Sequence, residues 1–180
     1  QNVIAGITNK ILSRFVDIVA VGYNEAAKSF GKAKRVVYTG NPVRPDVLVD
    51  SRAEGRQFFG LCDDIFTVLI AGGSRGARTI NTAMIDVHKH FQGKPGIKLI
   101  HITGNGEYNT VLEQLGIDDG TGLGESSLIL PYLHDMPKAL AATDLAVFRS
   151  GAIGLAELAV RGIPSILVPY PYAAEDHQTY

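Results

Sequence analysis

The chain has 180 residues, of which 46% are hydrophobic, and its 17 basic and 18 acidic residues leave a formal net charge of −1. This length and composition allow one globular domain, or one domain with part of another, to bury a core. The balanced charge and the lack of a basic run argue against a nucleic-acid-binding surface, so the expected partner is a small molecule.

Seven short apolar runs predict β-strands along the chain. They are DIVAVG at 17–22, RVVYT at 35–39, TVLIAG at 67–72, IKLIHIT at 97–103, SLIL at 127–130, DLAVF at 144–148 and SILVP at 165–169. The runs are apolar throughout and do not alternate with polar residues, which is typical of parallel strands covered on both faces.

The segments between these runs have the periodicity of amphipathic helices. Two apolar stripes can pack on the sheet: Ile80, Met84, Val87 and Phe91, and then Tyr108, Val111, Leu112 and Leu115. Because strand and helix alternate, the predicted fold class is α/β, with a doubly wound, Rossmann-like parallel sheet.

The stretch TGNPVRPDVLVD, residues 39–50, interrupts this alternation. Two prolines bracket Val43 and Arg44, and no apolar period survives, which indicates an interdomain linker. Residues 1–38 are then the end of one Rossmann-like domain. Residues 51–180 are most of a second domain. We expect this domain to be truncated, because the last residues, EDHQTY, resemble a helix that stops after its first turn.

A glycine-rich turn, GGSRG at 72–76, joins a predicted strand to a predicted helix. Backbone N–H groups at a helix N-terminus favour an anion, and Ser74 would add a hydroxyl donor and cap the helix. The turn has neither the middle glycine of a dinucleotide fingerprint nor the lysine of a P-loop. From this motif alone, a phosphate site and a plain turn with glycines for close packing both remain open.

Two further loops follow predicted strands. In FRSGAIGLAEL at 148–158, Glu157 could accept the hydroxyls of a ribose or could interact with the helix dipole. The other loop is PYPYAAEDHQ at 169–178. Loops at the carboxyl ends of neighbouring strands surround one crevice, where open α/β sheets bind their ligands.

Cysteine and histidine give no sign of a metal site. Cys62 is the single cysteine, which excludes an intrachain disulfide framework and favours a reducing setting. His88 and His90 are predicted on the surface of a helix, His101 within a strand and His134 at a helix start. None of these four has a partner at metal-ligand spacing, so we assign them structural roles.

The motifs occur in the order found in a known family. AGITNKIL, TGNPVR, GGSRGA, PYLHDM, DLAVFRSGA and PSILVPYPYAAEDHQ resemble the bacterial N-acetylglucosaminyltransferases of peptidoglycan synthesis, the MurG family. Members of this family have a two-domain GT-B fold and use no catalytic metal. They transfer GlcNAc from UDP-GlcNAc to lipid I, undecaprenyl-pyrophosphoryl-MurNAc-pentapeptide, to form lipid II. The resemblance covers essentially the whole chain and implies an internal part of such an enzyme.

The resemblance implies a site for UDP-GlcNAc. Arg44 and Ser74 would lie at the diphosphate, and Leu133 would stand where backbone contacts to uracil arise. Glu157 would take the ribose hydroxyls. Each assignment suits the side chain, since a guanidinium pairs with phosphate and a carboxylate accepts from a diol.

Further donor contacts follow from the same resemblance. A loop and helix start beside the diphosphate comprises Ala152, Ile153, Gly154, Leu155 and Ala156. Gln178 would contact GlcNAc, and Asn2 would face the cleft from the acceptor side. Gly154 replaces a threonine common in the family, so only backbone contact is expected there.

The implied setting is the cytoplasmic face of the bacterial membrane, with peripheral contact, lipid I as the acceptor and no cofactor. No apolar run approaches the ~18 residues of a membrane span. The family's glycine-rich loop with its proposed catalytic histidine is not in this sequence, so the base is expected upstream. Two alternatives remain open, namely a UDP-GlcNAc 2-epimerase and a non-catalytic nucleotide-sugar-binding module.

Overall fold

The computed structural model describes residues 3–73 and 77–170 of the chain. The described residues form two compact units, one comprising 3–43, 150–156 and 169–170 and the other 44–73, 77–149 and 157–168. Within the described ranges, no helix combines the length and apolar character needed to cross a lipid bilayer.

The smaller unit is built around a pair of parallel strands, β1 (Val19–Val21) and β2 (Val36–Tyr38). Helix α1 (Ile7–Leu12) precedes β1, and a 3₁₀ helix (Asn24–Phe30) connects the two strands. The core of this unit is formed by Ala5, Val21, Ala26 and Phe30. Both strands lie within the apolar runs that predict them.

The larger unit contains a sheet of five strands: β3 (Phe66–Ala71), β4 (Ile97–Ile102), β5 (Ser127–Leu130), β6 (Leu145–Arg149) and β7 (Ser165–Val168). All neighbouring strands are parallel, and their order in space is β5, β4, β3, β6, β7. The chain moves outward from β3 to β5 and then returns to the other side of β3. The predicted doubly wound α/β fold is therefore confirmed.

The remaining helices are α2 (Pro45–Val49), α3 (Arg52–Phe58), α4 (Arg78–Phe91), α5 (Tyr108–Leu115), α6 (Met136–Ala142) and α7 (Ala152–Arg161). Both predicted apolar stripes pack as expected. The stripe on α4 joins Val68, Ile70 and Leu99 of the sheet, and the stripe on α5 packs around Ile85 and Ile129.

The structure differs from the sequence pattern in two places. Residues 39–50, which show no apolar period, nevertheless contain α2, which begins at Pro45. Proline suits a first helical position because its φ is already near the helical value and an N–H there would have no helical partner. The expectation that every strand is covered on both faces is wrong for the edge strand β7, where Ile166 and Leu167 are exposed.

Candidate functional site

The strand order of the larger unit reverses between β3 and β6, and such a reversal creates a crevice at the carboxyl ends of the strands. Ala71 at the end of β3 pairs with Phe148 near the end of β6. The two glycine-containing turns therefore start at the same edge of the sheet. Since β7 lies beside β6, the three strands whose loops were expected to surround one crevice are neighbours.

The turn after β3 depends on glycine for a close approach of its two ends. A Cβ built on Gly72 would overlap the Cβ of Ala77 and lie 2.5 Å from its backbone nitrogen. Gly73 has a positive φ of 88°. Helix α4 begins at Arg78 with Ala77 as its N-cap, so the prediction that Ser74 caps this helix is wrong. Ser74 itself lies outside the described residues.

Replacing Gly72 with alanine should displace this turn and destabilise the protein by about 1–3 kcal/mol, the usual effect of overpacking. Gly106→Ala is the matched control, because a Cβ there meets no atom within 4 Å. Urea unfolding of both variants measures the difference. Equal stability of the two variants would show that the approach of Gly72 to Ala77 is not required.

A hydrogen-bonded network of buried polar side chains holds the start of α4 against the sheet. Asn81 in the first turn of α4 donates from Nδ2 to the carbonyl of Thr103, at 2.9 Å. Its Oδ1 lies 3.0 Å from Nε2 of His101. Nδ1 of His101 lies 3.1 Å from Nε2 of His88, and Nδ1 of His88 lies 2.9 Å from Oγ of Ser127.

These contacts determine which atom donates in every hydrogen bond of this network. Asn81 donates with its amide nitrogen, so its oxygen must accept a proton from Nε2 of His101. A neutral His101 then accepts at Nδ1 from His88, which in turn accepts at Nδ1 from the hydroxyl of Ser127. All members are satisfied with both imidazoles neutral, as burial requires.

This network was not predicted from the sequence, and the prediction that His88 lies on the surface is wrong. His88 is fully buried, whereas His90 is exposed as predicted. Asn81 and His88 are seven residues apart and share one face of α4. Polar residues at that spacing, beside a strand containing His101, are the signal that could have revealed the network.

Acid should destabilise the protein through these histidines. Burial lowers the pKa of His88 to about 4. Burial and the neighbouring His88 lower the pKa of His101 to about 3. Their contribution to stability is complete above about pH 6.5 and is lost as the pH falls toward these values, because the unfolded chain takes up protons first. Each histidine contributes up to ~1.4 kcal/mol per pH unit.

Urea unfolding at about pH 7, 6 and 5 measures this slope. His88→Gln should reduce the slope, since one of the two buried titrating groups is removed. His90→Gln should leave it unchanged, because His90 is exposed. A slope that is the same in all three proteins would contradict the assignment.

The loop after β5 is tied to the end of β4. The backbone N–H and the hydroxyl of Thr103 both donate to the carbonyl of Leu130, at 2.9 and 3.2 Å. Residues 131–135 that follow adopt neither helix nor strand, and Leu133 among them is half-buried. Tyr132 packs edge-on against His134, with ring centroids 4.8 Å apart. Leu133 thus lies in a loop at the carboxyl end of the sheet.

Arg44 and Glu157 contact each other. Nε of Arg44 lies 3.3 Å from Oε1 of Glu157, and the exposed fractions of the two side chains are 49% and 9%. A carboxylate this deeply buried depends on a hydrogen-bonding partner. The two charged side chains implied for phosphate and ribose are therefore adjacent in this structure.

A second arginine holds α2 along the last turns of α7. Arg161 donates from Nη1 to the carbonyls of Val47 and Asp50, at 3.2 and 2.8 Å. Glu157 and Arg161 are four residues apart and so lie on the same face of α7. Arg161 of α7 therefore holds the end of α2, and Glu157 of α7 contacts Arg44, the residue just before α2.

The other implied residues fall in two groups. The first five residues of α7 are Ala152, Ile153, Gly154, Leu155 and Ala156, of which Ile153 is exposed and the others are half-buried. Asn2, Ser74 and Gln178 lie outside the described residues. Among residues 3–73 and 77–170, no three histidine, cysteine, aspartate or glutamate side chains are grouped so that they could hold a metal ion.

A doubly wound parallel sheet with a glycine turn at its switch point defines a Rossmann-like α/β protein. Residues 67–180 match the model of the glycosyltransferase family 28 C-terminal domain, and the chain belongs to this family.

Relatives with assigned names align along the whole chain. A UDP-N-acetylglucosamine--N-acetylmuramyl-(pentapeptide) pyrophosphoryl-undecaprenol N-acetylglucosamine transferase from Desulfitobacterium hafniense is 48% identical over 180 residues, covering all of this chain and 49% of the relative. A transferase of the same name from Acetivibrio thermocellus is 43% identical, with 48% of its length covered. The chain thus spans about half the length of these relatives.

A solved structure supports the same grouping. The crystal structure of MurG from Acinetobacter baumannii superposes with a TM-score of 0.66 at 28% sequence identity. The match covers 99% of this chain and 46% of the crystallised chain. The MurG resemblance seen in the sequence motifs is therefore confirmed.

Proposed function

We propose that this chain binds the sugar donor in an enzyme that transfers GlcNAc from UDP-GlcNAc to lipid I, forming lipid II in peptidoglycan synthesis. The observation that carries the proposal is the alignment of all 180 residues, at 48% identity, with a transferase of that name. The location of Glu157 and Arg44 in one contact adds support, because these are the charged groups a nucleotide sugar would need.

Within this function, each donor group has its own partners in the chain. Glu157 accepts from the ribose hydroxyls, and Arg44 and Ser74 bind the diphosphate. The backbone at Leu133 contacts uracil, and Gln178 contacts the sugar. The backbone of residues 152–156 lies beside the diphosphate, and Asn2 faces the cleft. These pairings are supported by the chemistry of the side chains and, for Leu133, by its place in the loop after β5.

The proposal extends to domain organisation and setting. Residues 1–38 end the acceptor domain, residues 39–50 connect the domains, and residues 51–180 belong to the donor domain. The acceptor is lipid-borne, so the enzyme works in peripheral contact with the cytoplasmic face of the membrane. No residue of this chain is assigned as the catalytic base.

Calorimetric titration of the full gene product that carries this chain tests donor binding. UDP and UDP-GlcNAc should bind, and ADP-glucose should bind at least tenfold more weakly, since a site that hydrogen-bonds uracil leaves polar groups unpaired with another base. Equal affinity for the two nucleotide sugars would contradict the proposal. Conversion of UDP-GlcNAc alone to UDP-ManNAc would identify an epimerase.

A further inference from the structure

We propose that the ion pair between Arg44 and Glu157 makes the site selective for ligands that carry both a ribose and a phosphate. This inference rests on the proposed function, in which Glu157 receives the ribose hydroxyls and Arg44 the diphosphate. In this structure the two side chains contact each other. The donor must therefore replace one contact inside the protein with two contacts to itself.

The geometry of the pair suits such an exchange. The separation of 3.3 Å between Nε and Oε1 is longer than the roughly 2.7–2.9 Å of a strong charge-assisted hydrogen bond. About half of the Arg44 side chain is already in water, so water can hydrate the guanidinium when it turns outward. Glu157 is nearly buried and cannot be left without a donor. A ligand that displaces Arg44 must itself donate to this carboxylate.

The pair can open without moving the helix beside it. Arg44 is the residue immediately before α2, and its backbone is extended, with φ −64° and ψ 138°. The carbonyls of Val47 and Asp50 are bound by Arg161, so α2 is held by contacts that do not involve the Arg44 side chain. Only the Arg44 side chain needs to turn.

Ligands should then differ in affinity according to whether they contact Glu157 alone or both Glu157 and Arg44. A nucleoside such as uridine donates two ribose hydroxyls to Glu157 but leaves Arg44 without a partner. UDP supplies hydroxyls for the carboxylate and phosphate oxygens for the guanidinium. Both ligands break the internal ion pair, but only UDP replaces the lost contact of Arg44 with one to a charged group.

The test compares uridine and UDP as probes, titrated into the gene product that carries this chain. Arg44→Ala should strengthen uridine binding about three- to tenfold, since no ion pair has to break, and should weaken UDP binding about ten- to a hundredfold. Arg52→Ala is the matched control. Arg52 is also half-exposed and paired with a carboxylate, Asp144 at 2.7 Å, and its removal should leave both affinities unchanged.

A salt series on the unchanged protein gives a second readout that needs no variant. Salt screens the half-exposed pair, so uridine affinity should rise with ionic strength while UDP affinity falls. Uridine binding that is unchanged or weaker in Arg44→Ala, or that weakens with salt, would overturn the inference. If the unchanged protein does not bind UDP at all, the proposed function fails and the exchange fails with it.

Discussion

Replacing Asp144 with alanine is expected to lower the free energy of unfolding by about 3 kcal/mol, the lower end of the range for removing one partner of a buried ion pair. Oδ1 of Asp144 accepts from Arg52 at 2.7 Å, and Oδ2 accepts from the backbone N–H of Thr67 at 2.8 Å. Oδ2 also lies 3.8 Å from Nη1 of Arg56, whose side chain is only 2% exposed.

The loss has two physical causes. Thr67 is fully buried at the start of β3, so its N–H would have no acceptor to replace the carboxylate. Arg56 would keep its bonds to the carbonyls of Cys62 and Ile65. It would lose the less exposed of the two carboxylates near it, that of Asp144. Asp144 therefore holds the beginnings of β3 and β6 together.

Asp63→Ala is the control for this prediction. Asp63 lies 3.7 Å from Nε of the same arginine, but its carboxylate is fully exposed. Exposed ion pairs contribute little to stability, so the unfolding midpoint in urea should stay within experimental error. Equal destabilisation by the two variants would mean that proximity to Arg56, and not the buried contacts of Asp144, determines the effect.

Replacing Glu157 with glutamine is expected to weaken UDP-GlcNAc binding about ten- to a hundredfold, or about 1.5–3 kcal/mol, the range for hydrogen bonds to a charged group. Glutamine keeps the shape but removes the charge that contacts Arg44 and that, in the proposed site, accepts from the ribose hydroxyls. Calorimetry of the gene product measures the change.

Glu113→Gln makes the same chemical change at an exposed position on α5 and should leave the affinity unaltered. Identical UDP-GlcNAc affinity in Glu157→Gln and in the unchanged protein would remove Glu157 from the site. A loss in both variants would indicate a general effect of net charge.

Local sequence patterns predict most of the secondary structure. Each apolar run overlaps a strand, as expected for the apolar strands of a parallel sheet. The stripe containing Ile80 and Met84 packs on the sheet as its helical spacing requires. The family resemblance implied site roles for Arg44 and Glu157 individually, and these roles remain predictions.

Features that depend on distant residues could not be predicted in this way. The contact between Arg44 and Glu157 joins residues 113 positions apart. The burial of His88 depends on His101 and Ser127, which lie on β4 and β5, so the spacing of Asn81 and His88 on α4 could not predict these partners. The strand order that places β6 beside β3 is likewise a property of the whole sheet.

The most direct test of the central claim is transfer of radiolabelled GlcNAc from UDP-GlcNAc to a lipid I analogue by the full gene product that carries this chain. The account predicts label in a lipid II product, formed only when the lipid acceptor is present, and a rate that falls at limiting UDP-GlcNAc in Glu157→Gln but not in Glu113→Gln. Failure to label the acceptor, or turnover of UDP-GlcNAc at the same rate without it, would contradict the account.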